Sequence, residues 1–420
     1  MFPMRAAPFG AVCVFLVASV AASPSPPPVK AAVEALWRDN PQVQAAEANL
    51  RAAHERASGA AQPFYNPSLQ LEGENADVDR RTAGASLALD VTGKRKARIA
   101  ESDADVRART AELALARRDI TLDWLKGWTG VALAHDQAAL GRRRVELMQA
   151  FDALAAQRLK TGDISSPERD LAALALGEAL VQQASLDTQE ADARAALAIT
   201  GTANAPNAAN AANAQIVTTD LPPAATTIIP LSADERPDLL LARAAQDRAD
   251  AAVTVADRAR RPDPTISVTG GQVRSGPRTD RVIGVSVSMP LPVRDSGRYS
   301  VSAARAEADA AYASTRAAAL RTDAQLVRAQ ATYTALRTAS ETFGKGRAGA
   351  FDERARLLEK LWQASEITTS DYLLQLKQSL DTAVSGIALQ NQAWQAWFDY
   401  LAAAGRLPAW IDGTDKDTSP

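Results

Sequence analysis

One stretch of this sequence occurs twice, and it is the stretch least like its surroundings. The first copy runs from Asn66-Pro67-Ser68-Leu69-Gln70-Leu71-Glu72 to Gly84-Ala85-Ser86-Leu87-Ala88-Leu89. The second runs from Asp263-Pro264-Thr265-Ile266-Ser267-Val268 to Gly284-Val285-Ser286-Val287-Ser288-Met289. Apolar and polar residues alternate with period two in both, the pattern of paired strands rather than of a helix. Strands are expected at about 66–73 and 83–91, and again at about 264–272 and 281–291. Each copy ends in a glycine–basic pair, Gly93-Lys94 and Gly297-Arg298, ahead of a long helical pattern.

The strand pairs sit inside a larger duplication. Arg236-Pro237 stands 196 residues after Asn40-Pro41, Gly284 stands 200 after Gly84, and both Gly297 after Gly93 and Gly405 after Gly201 stand at 204. So small a drift over half the chain indicates a tandem structural repeat. The repeats are read as 29–201 and 233–405, joined by an Ala/Asn/Pro/Thr linker at 202–232 and followed by a tail at 406–420.

From Lys94 to Lys160 nothing interrupts 67 residues except the tolerated glycines Gly127, Gly130 and Gly141, giving about 100 Å of helix at 1.5 Å per residue. Arg298 to Ala364 is equally long. The segments 29–62 and 166–200 together nearly match one such helix, so two shorter helices stacked end to end are expected antiparallel beside each long one. Asn40-Pro41 breaks the first of these segments and restarts it with Pro41 in the first turn. Each repeat becomes a rod with a β-hairpin at one end and a helix–helix turn at the other, at 161–168 and 364–371. Gly162 suits the left-handed residue that closes a helix, Ser166-Pro167 the N-cap and first residue of the next, and Gly201 that helix's C-terminal cap.

Composition excludes several functions. Forty-seven basic and 49 acidic residues give a net charge of −2, so there is no electrostatic footprint for nucleic acid. Aromatics are only 5%, too few for large globular cores. Residues 1–22 read as a secretory signal peptide, with Arg5 ahead of an apolar run from Ala11 to Ala21, followed by a Pro/Ser linker at 23–28. The single cysteine, Cys13, falls inside that signal behind a poor lipobox, Gly10-Ala11-Val12, so no lipid anchor and no disulfide framework are expected. No later run of eighteen apolar residues exists, hence no spanning helix is expected. His54 and His135 are far apart in helical sequence, and no metal, cofactor or catalytic constellation is expected. Arg142-Arg143-Arg144 reads as a solvated basic face.

The alternation assigns two faces to the strands. Leu69, Leu71, Leu87, Leu89, Ile266, Val268, Val285, Val287 and Met289 form one; Ser68, Gln70, Glu72, Ser86, Ala88, Ser267, Ser286 and Ser288 form the other. A soluble sheet lying on a core fits this pattern, but the adjacent helices run lengthwise away and supply no core. A lipid-facing barrel with a wet lumen fits it as well. Four strands cannot enclose a pore, since bacterial barrels start at eight. Closure therefore needs several copies.

Helix, hairpin, long helix, turn and helix, duplicated, resembles the TolC-type outer-membrane efflux channels from about Val29 to Gly405. Asn66-Pro67-Ser68-Leu69-Gln70-Leu71-Glu72 with Thr92-Gly93-Lys94-Arg95-Lys96-Ala97-Arg98 is similar to the CzcC-like heavy-metal efflux branch. So is Arg261-Pro262-Asp263-Pro264-Thr265-Ile266-Ser267-Val268 with Ser288-Met289-Pro290-Leu291-Pro292-Val293. A departure is Asp90-Val91-Thr92-Gly93, where the branch carries an acidic residue and paired glycines. The resemblance implies a mainly α fold with a small β part, in which three chains each give four strands to a twelve-stranded outer-membrane β-barrel. It also implies a periplasmic tunnel of helices that meets an adaptor (membrane fusion) protein and, through it, an inner-membrane RND-type pump. The cargo implied is heavy-metal cations; a drug or organic-compound channel, or a periplasmic coiled-coil adaptor, are the alternatives.

The resemblance also implies site residues. Gly162, Ile164 and Ser165, with Ser365, Ile367 and Thr368, look like the adaptor-docking turns, although ordinary helix-hairpin turns use the same residue types. Asp371 stands where the family places one acid of a constricting ring, and Glu168 corresponds to it in the first repeat. The family's second acid is Leu374 here.

Overall fold

The computed structural model of the chain describes residues 28–75, 77–202, 221–223, 228, 230–232, 235–345, 351–364 and 366–413. The expected signal segment with Cys13, and Ser365, lie outside the described residues.

In the first repeat α1 (Pro28–Asp39) and α2 (Pro41–Ala60) lead to β1 (Ser68–Glu74) and β2 (Val78–Ala88). Next come α3 (Lys94–Thr161) and α4 (Ser166–Leu197), the latter running into a π-helical turn, Ala198–Thr202. In the second, α5 (Pro237–Ala259) leads to β3 (Thr265–Ser275) and β4 (Arg278–Ser288), then α6 (Arg298–Lys345), α7 (Phe351–Gln363) and α8 (Thr369–Ala404). A short α9 (Leu407–Ile411) follows. α3 is one helix of 68 residues. Its counterpart is described as two helices, α6 and α7, rather than the single helix expected from Arg298 to Ala364; residues 346–350 between them lie outside the described residues.

The helix ends follow local chemistry, with two corrections. Asn40 caps α2 by accepting the Gln42 and Val43 amides at 2.8 and 3.2 Å, with Pro41 at the first position. Gly162 closes α3 at φ 84°, where a Cβ would be strained. The N-cap of α4 is Ser165, not Ser166, which moves Pro167 one position further in. Gly201 does not cap α4; it lies in the π turn, held by Asn40 Nδ2 donating 2.9 Å to the Thr200 carbonyl.

The waist of the molecule holds the larger core. Val33, Leu36 and Val43 from α1 and α2 meet Trp124, Leu125 and Leu133 of α3, Tyr333 of α6, and Trp397, Phe398 and Leu401 of α8. Two segments expected as linker and tail contribute here. Ile228 is buried in the cluster, the Pro223 carbonyl accepts from the Tyr333 hydroxyl, and Leu407 and Ile411 of α9 are buried as well. The Trp397 side chain is fully buried, its ring 4.9 Å from that of Tyr333, and its indole N–H has no acceptor among the described residues.

The hairpins and rods are joined by a buried carboxylate. Asp263 accepts from Tyr65 Oη at 2.7 Å and Thr92 Oγ1 at 3.2 Å, and pairs with Lys94 Nζ at 2.9 Å. Asp90 meanwhile accepts the Lys94 and Arg95 amides at 2.9 and 2.7 Å, capping α3 where Gly93 has no side chain to offer. This network ties the second repeat's Asp263-Pro264 to the first repeat's Thr92-Gly93-Lys94.

Two consequences can be measured by thermal unfolding in detergent. Trp397→Ala costs about 3–5 kcal/mol by emptying the waist core, whereas Trp397→Phe costs far less because no hydrogen bond is lost. Lys94→Met costs about 3–5 kcal/mol by stranding a buried charge, and adding Asp263→Asn recovers part of that loss.

Candidate functional site

The four strands form one antiparallel sheet in the order β1-β2-β3-β4. β2 and β3 pair along eleven residues, from Val78 opposite Ser275 to Ala88 opposite Thr265, so the repeats share a sheet. The register sets complete rows across it. Leu69, Ala85, Val268 and Val285 form one row, and Leu71, Ala83, Gly270 and Ile283 the next. Ser68, Ser86, Ser267 and Ser286 form a row on the opposite face. Its hydroxyls pair at 2.6 Å (Ser68–Ser86) and 2.7 Å (Ser267–Ser286).

Exposure is the reverse of a soluble sheet. Leu69, Leu71, Val285 and Ile283 are 73%, 76%, 69% and 86% exposed, while Ser86 is only 8% exposed. Apolar side chains thus point away from the rest of the molecule, and in the two central strands the small polar face is the more buried one. Glycine makes the polar face thin: at Gly271 a Cβ would stand 2.1 Å from the Arg81 carbonyl, and at Gly84 2.6 Å from Thr269 Cγ2. Two edges, β1 and β4, have no strand partner among the described residues.

At the opposite end of the rods lie the two turns. The Gly162 and Asp163 amides donate to Leu159 and Arg158 carbonyls at 3.2 and 2.9 Å, finishing α3. Glu168 turns back to accept the Ser165 amide at 2.8 Å and its hydroxyl at 2.9 Å. In the second repeat Thr368 Oγ1 accepts the Asp371 amide at 3.1 Å and donates to Asp371 Oδ2 at 2.8 Å. Ser165-Ser166-Pro167-Glu168 and Thr368-Thr369-Ser370-Asp371 therefore occupy capping-box spacing, each acid serving its own helix start. The Ser165 amide and hydroxyl hold the Glu168 carboxyl below its usual range, with the Thr369 hydroxyl of the other turn adding to the effect.

Gly162, Ser165 and Thr368 are exposed, whereas Ile164 and Ile367 are half-buried against a second core. That core was not foreseen from the sequence. Phe151 of α3, Trp362 of α7 and Tyr372 of α8 stack with centroids 4.6, 4.9 and 5.6 Å apart. Arg158 lies 4.5 Å over the Trp362 ring, and Trp362 Nε1 donates to Thr369 Oγ1 at 3.2 Å. The signal available was the clustering of three scarce aromatics near the helix turns.

Other expectations shift in detail. Arg144 is not part of a solvated face: it is buried and donates to Gln182 between α3 and α4. His135 bonds Glu190 at 2.9 Å across the same pair of helices. No group of three or more His, Cys, Asp or Glu that could hold a metal occurs among the described residues, and none of the described helices is long and apolar enough to cross a membrane.

No protein-family model matches the chain. The cobalt-zinc-cadmium resistance protein CzcC of Cupriavidus metallidurans is 27% identical over 250 residues, which cover 59% of this chain and 58% of that protein. The match thus spans little more than half of that relative. Among solved structures, the Campylobacter jejuni CmeC outer membrane channel superposes with a TM-score of 0.73 at 14% identity, covering 93% of this chain and 90% of CmeC. The outer-membrane channel OprN gives a TM-score of 0.72 at 18% identity over 90% of each chain. The chain has the fold of the TolC-type outer-membrane channels and resembles CzcC in sequence.

Proposed function

We propose that this chain is a passive exit duct in the outer membrane of a Gram-negative bacterium, serving a tripartite pump–adaptor–channel efflux system. It is not an enzyme. The observation that carries the reading is the inverted sheet, with bulky aliphatic residues exposed on one face and a serine row on the other. Three copies joined edge to edge through β1 and β4 would close a barrel of twelve strands with every backbone group paired, as lipid requires. The helical rods then line a periplasmic tunnel, and the turns form its entrance.

At that entrance Gly162, Ile164, Ser165, Ile367 and Thr368, with Ser365, dock a periplasmic adaptor, which links the duct to an inner-membrane RND-type pump. Small exposed residues let a helical hairpin approach, and the aromatic core beneath the two isoleucines keeps the platform rigid. Three Asp371 carboxylates around the axis, each with Oδ1 unengaged among the described residues, would select cations; Glu168 adds a second acid ring. Heavy-metal cations are the cargo that the likeness to CzcC supports. Conduction needs no tight metal site.

Detergent extraction from membranes is expected to yield a trimer that conducts in planar bilayers with cation preference. A soluble, non-conducting monomer would sink the duct reading. Asp371→Ala is expected to lower the cation preference; unchanged selectivity overturns the role of that ring alone. Glu168 supplies a pH test. Its folded pKa lies below its unfolded value, so its contribution is full above about pH 4.3 and is lost as pH falls through the folded value. The protection factor of the Ser165 amide is expected to drop on acidification in the wild type, and to be insensitive to pH in Glu168→Gln, whose amide oxygen still accepts it.

A further inference from the structure

The rows of the sheet separate charge as well as hydropathy. Beyond the outward apolar rows, toward the hairpin loops, the next row holds Gly73, Arg81, Gln272 and Arg281. The row after that places Asp79, Arg274 and Thr279 side by side. Three exposed guanidiniums thus follow the apolar band on the outward face, against one strand carboxylate, Asp79. None of the three makes an ion pair among the described residues; Arg274 Nε donates only to the Gly276 carbonyl, at 3.4 Å. The inward face at this level differs, with Glu72, Glu74 and Asp280 beside Arg80 and Arg278.

Spacing makes the arginines a group. Arg81 and Arg281 stand two strands apart, about 10 Å, with Arg274 on the strand between and about 7 Å further along. Resting on the reading of this sheet as a membrane barrel, we propose that Arg81, Arg274 and Arg281 bind the phosphate-bearing headgroup of an anionic lipid in the leaflet on the loop side. Arginine is costly at the bilayer midplane and nearly free at the interface, and its long stem lets the charge reach the headgroup level. The guanidinium fork takes phosphate oxygens in pairs, which a point-charge ammonium does not. Three cations spread over about 10 Å suit a headgroup with two phosphates better than a single small anion. Asp79, with Asp77 just ahead of β2, leaves the three guanidiniums in excess, so the occupant is an anion.

The test uses the full chain in phosphatidylcholine nanodiscs doped with bis-phosphorylated lipid A or with its dephosphorylated form, with retained lipid read by native mass spectrometry. The wild type is expected to retain the phosphorylated form preferentially, and millimolar inorganic phosphate is expected not to displace it. Arg81→Gln with Arg274→Gln and Arg281→Gln is expected to weaken retention roughly hundredfold, about fivefold per arginine. The inward pair Arg80→Gln with Arg278→Gln is expected to leave retention intact. Equal retention of both lipids, displacement by phosphate, or an equal loss in the inward pair overturns the site. Bilayer conductance of the same preparations separates the readings: a conducting channel without lipid preference refutes only the headgroup site, whereas failure to insert refutes the duct and the site together.

Discussion

The structure is governed by a four-stranded sheet whose two outer edges carry backbone groups with no strand partner among the described residues. β2 and β3 are paired on both sides, while β1 and β4 each have a strand partner on one side only among the described residues. In water such edges recruit other strands, and in hydrocarbon each lone amide or carbonyl is costly. The apolar face compounds the demand, because none of the described helices covers it. Further copies that closed those edges while leaving the serine row hydrated would meet both demands, which is what the proposed barrel does.

The two repeats are fused at both ends, by opposite means. At the sheet, Asp263 of one repeat is buried against Lys94, Thr92 and Tyr65 of the other, a polar lock whose strength lies in full satisfaction. At the turns, Phe151 of one repeat stacks on Trp362 and Tyr372 of the other, an apolar lock with less geometric demand. Between them the waist core gathers the chain's scarce aromatics. The long helices themselves need little: alanine-rich faces such as Ala97, Ala104, Ala108 and Ala111 of α3 are buried, and small residues allow close approach of neighbouring helices.

How much of this was legible depended on how local the cause was. Strand alternation, the Gly162 stop and the Asn40-Pro41 restart act through nearest neighbours, and they read correctly. Ser165 as N-cap was missed because Ser166-Pro167 offers an equally good local pattern, and the choice is made by Glu168 three residues on. The Asp263–Lys94 lock joins positions far apart in the sequence, so each half looked like a family motif without a stated cause. The burial of Arg144, and of Ile228 and Ile411 at the waist, arises from how rods pack, which periodicity along one helix does not encode. The strand faces were readable, and the lengthwise run of the adjacent helices already argued against a core under the apolar side.

The pairing of β2 with β3 bears on how the chain acquires its shape. Ala88 meets Thr265, and Val78 meets Ser275, across the whole of α3, α4 and α5. Contacts that distant form late, whereas helix propagation is local and fast. The rods therefore take shape first and bring the hairpins together, so the greasy, open-edged sheet exists only at the end of folding. A chain of this design leaves its most adhesive surface unmade until its own helices have formed.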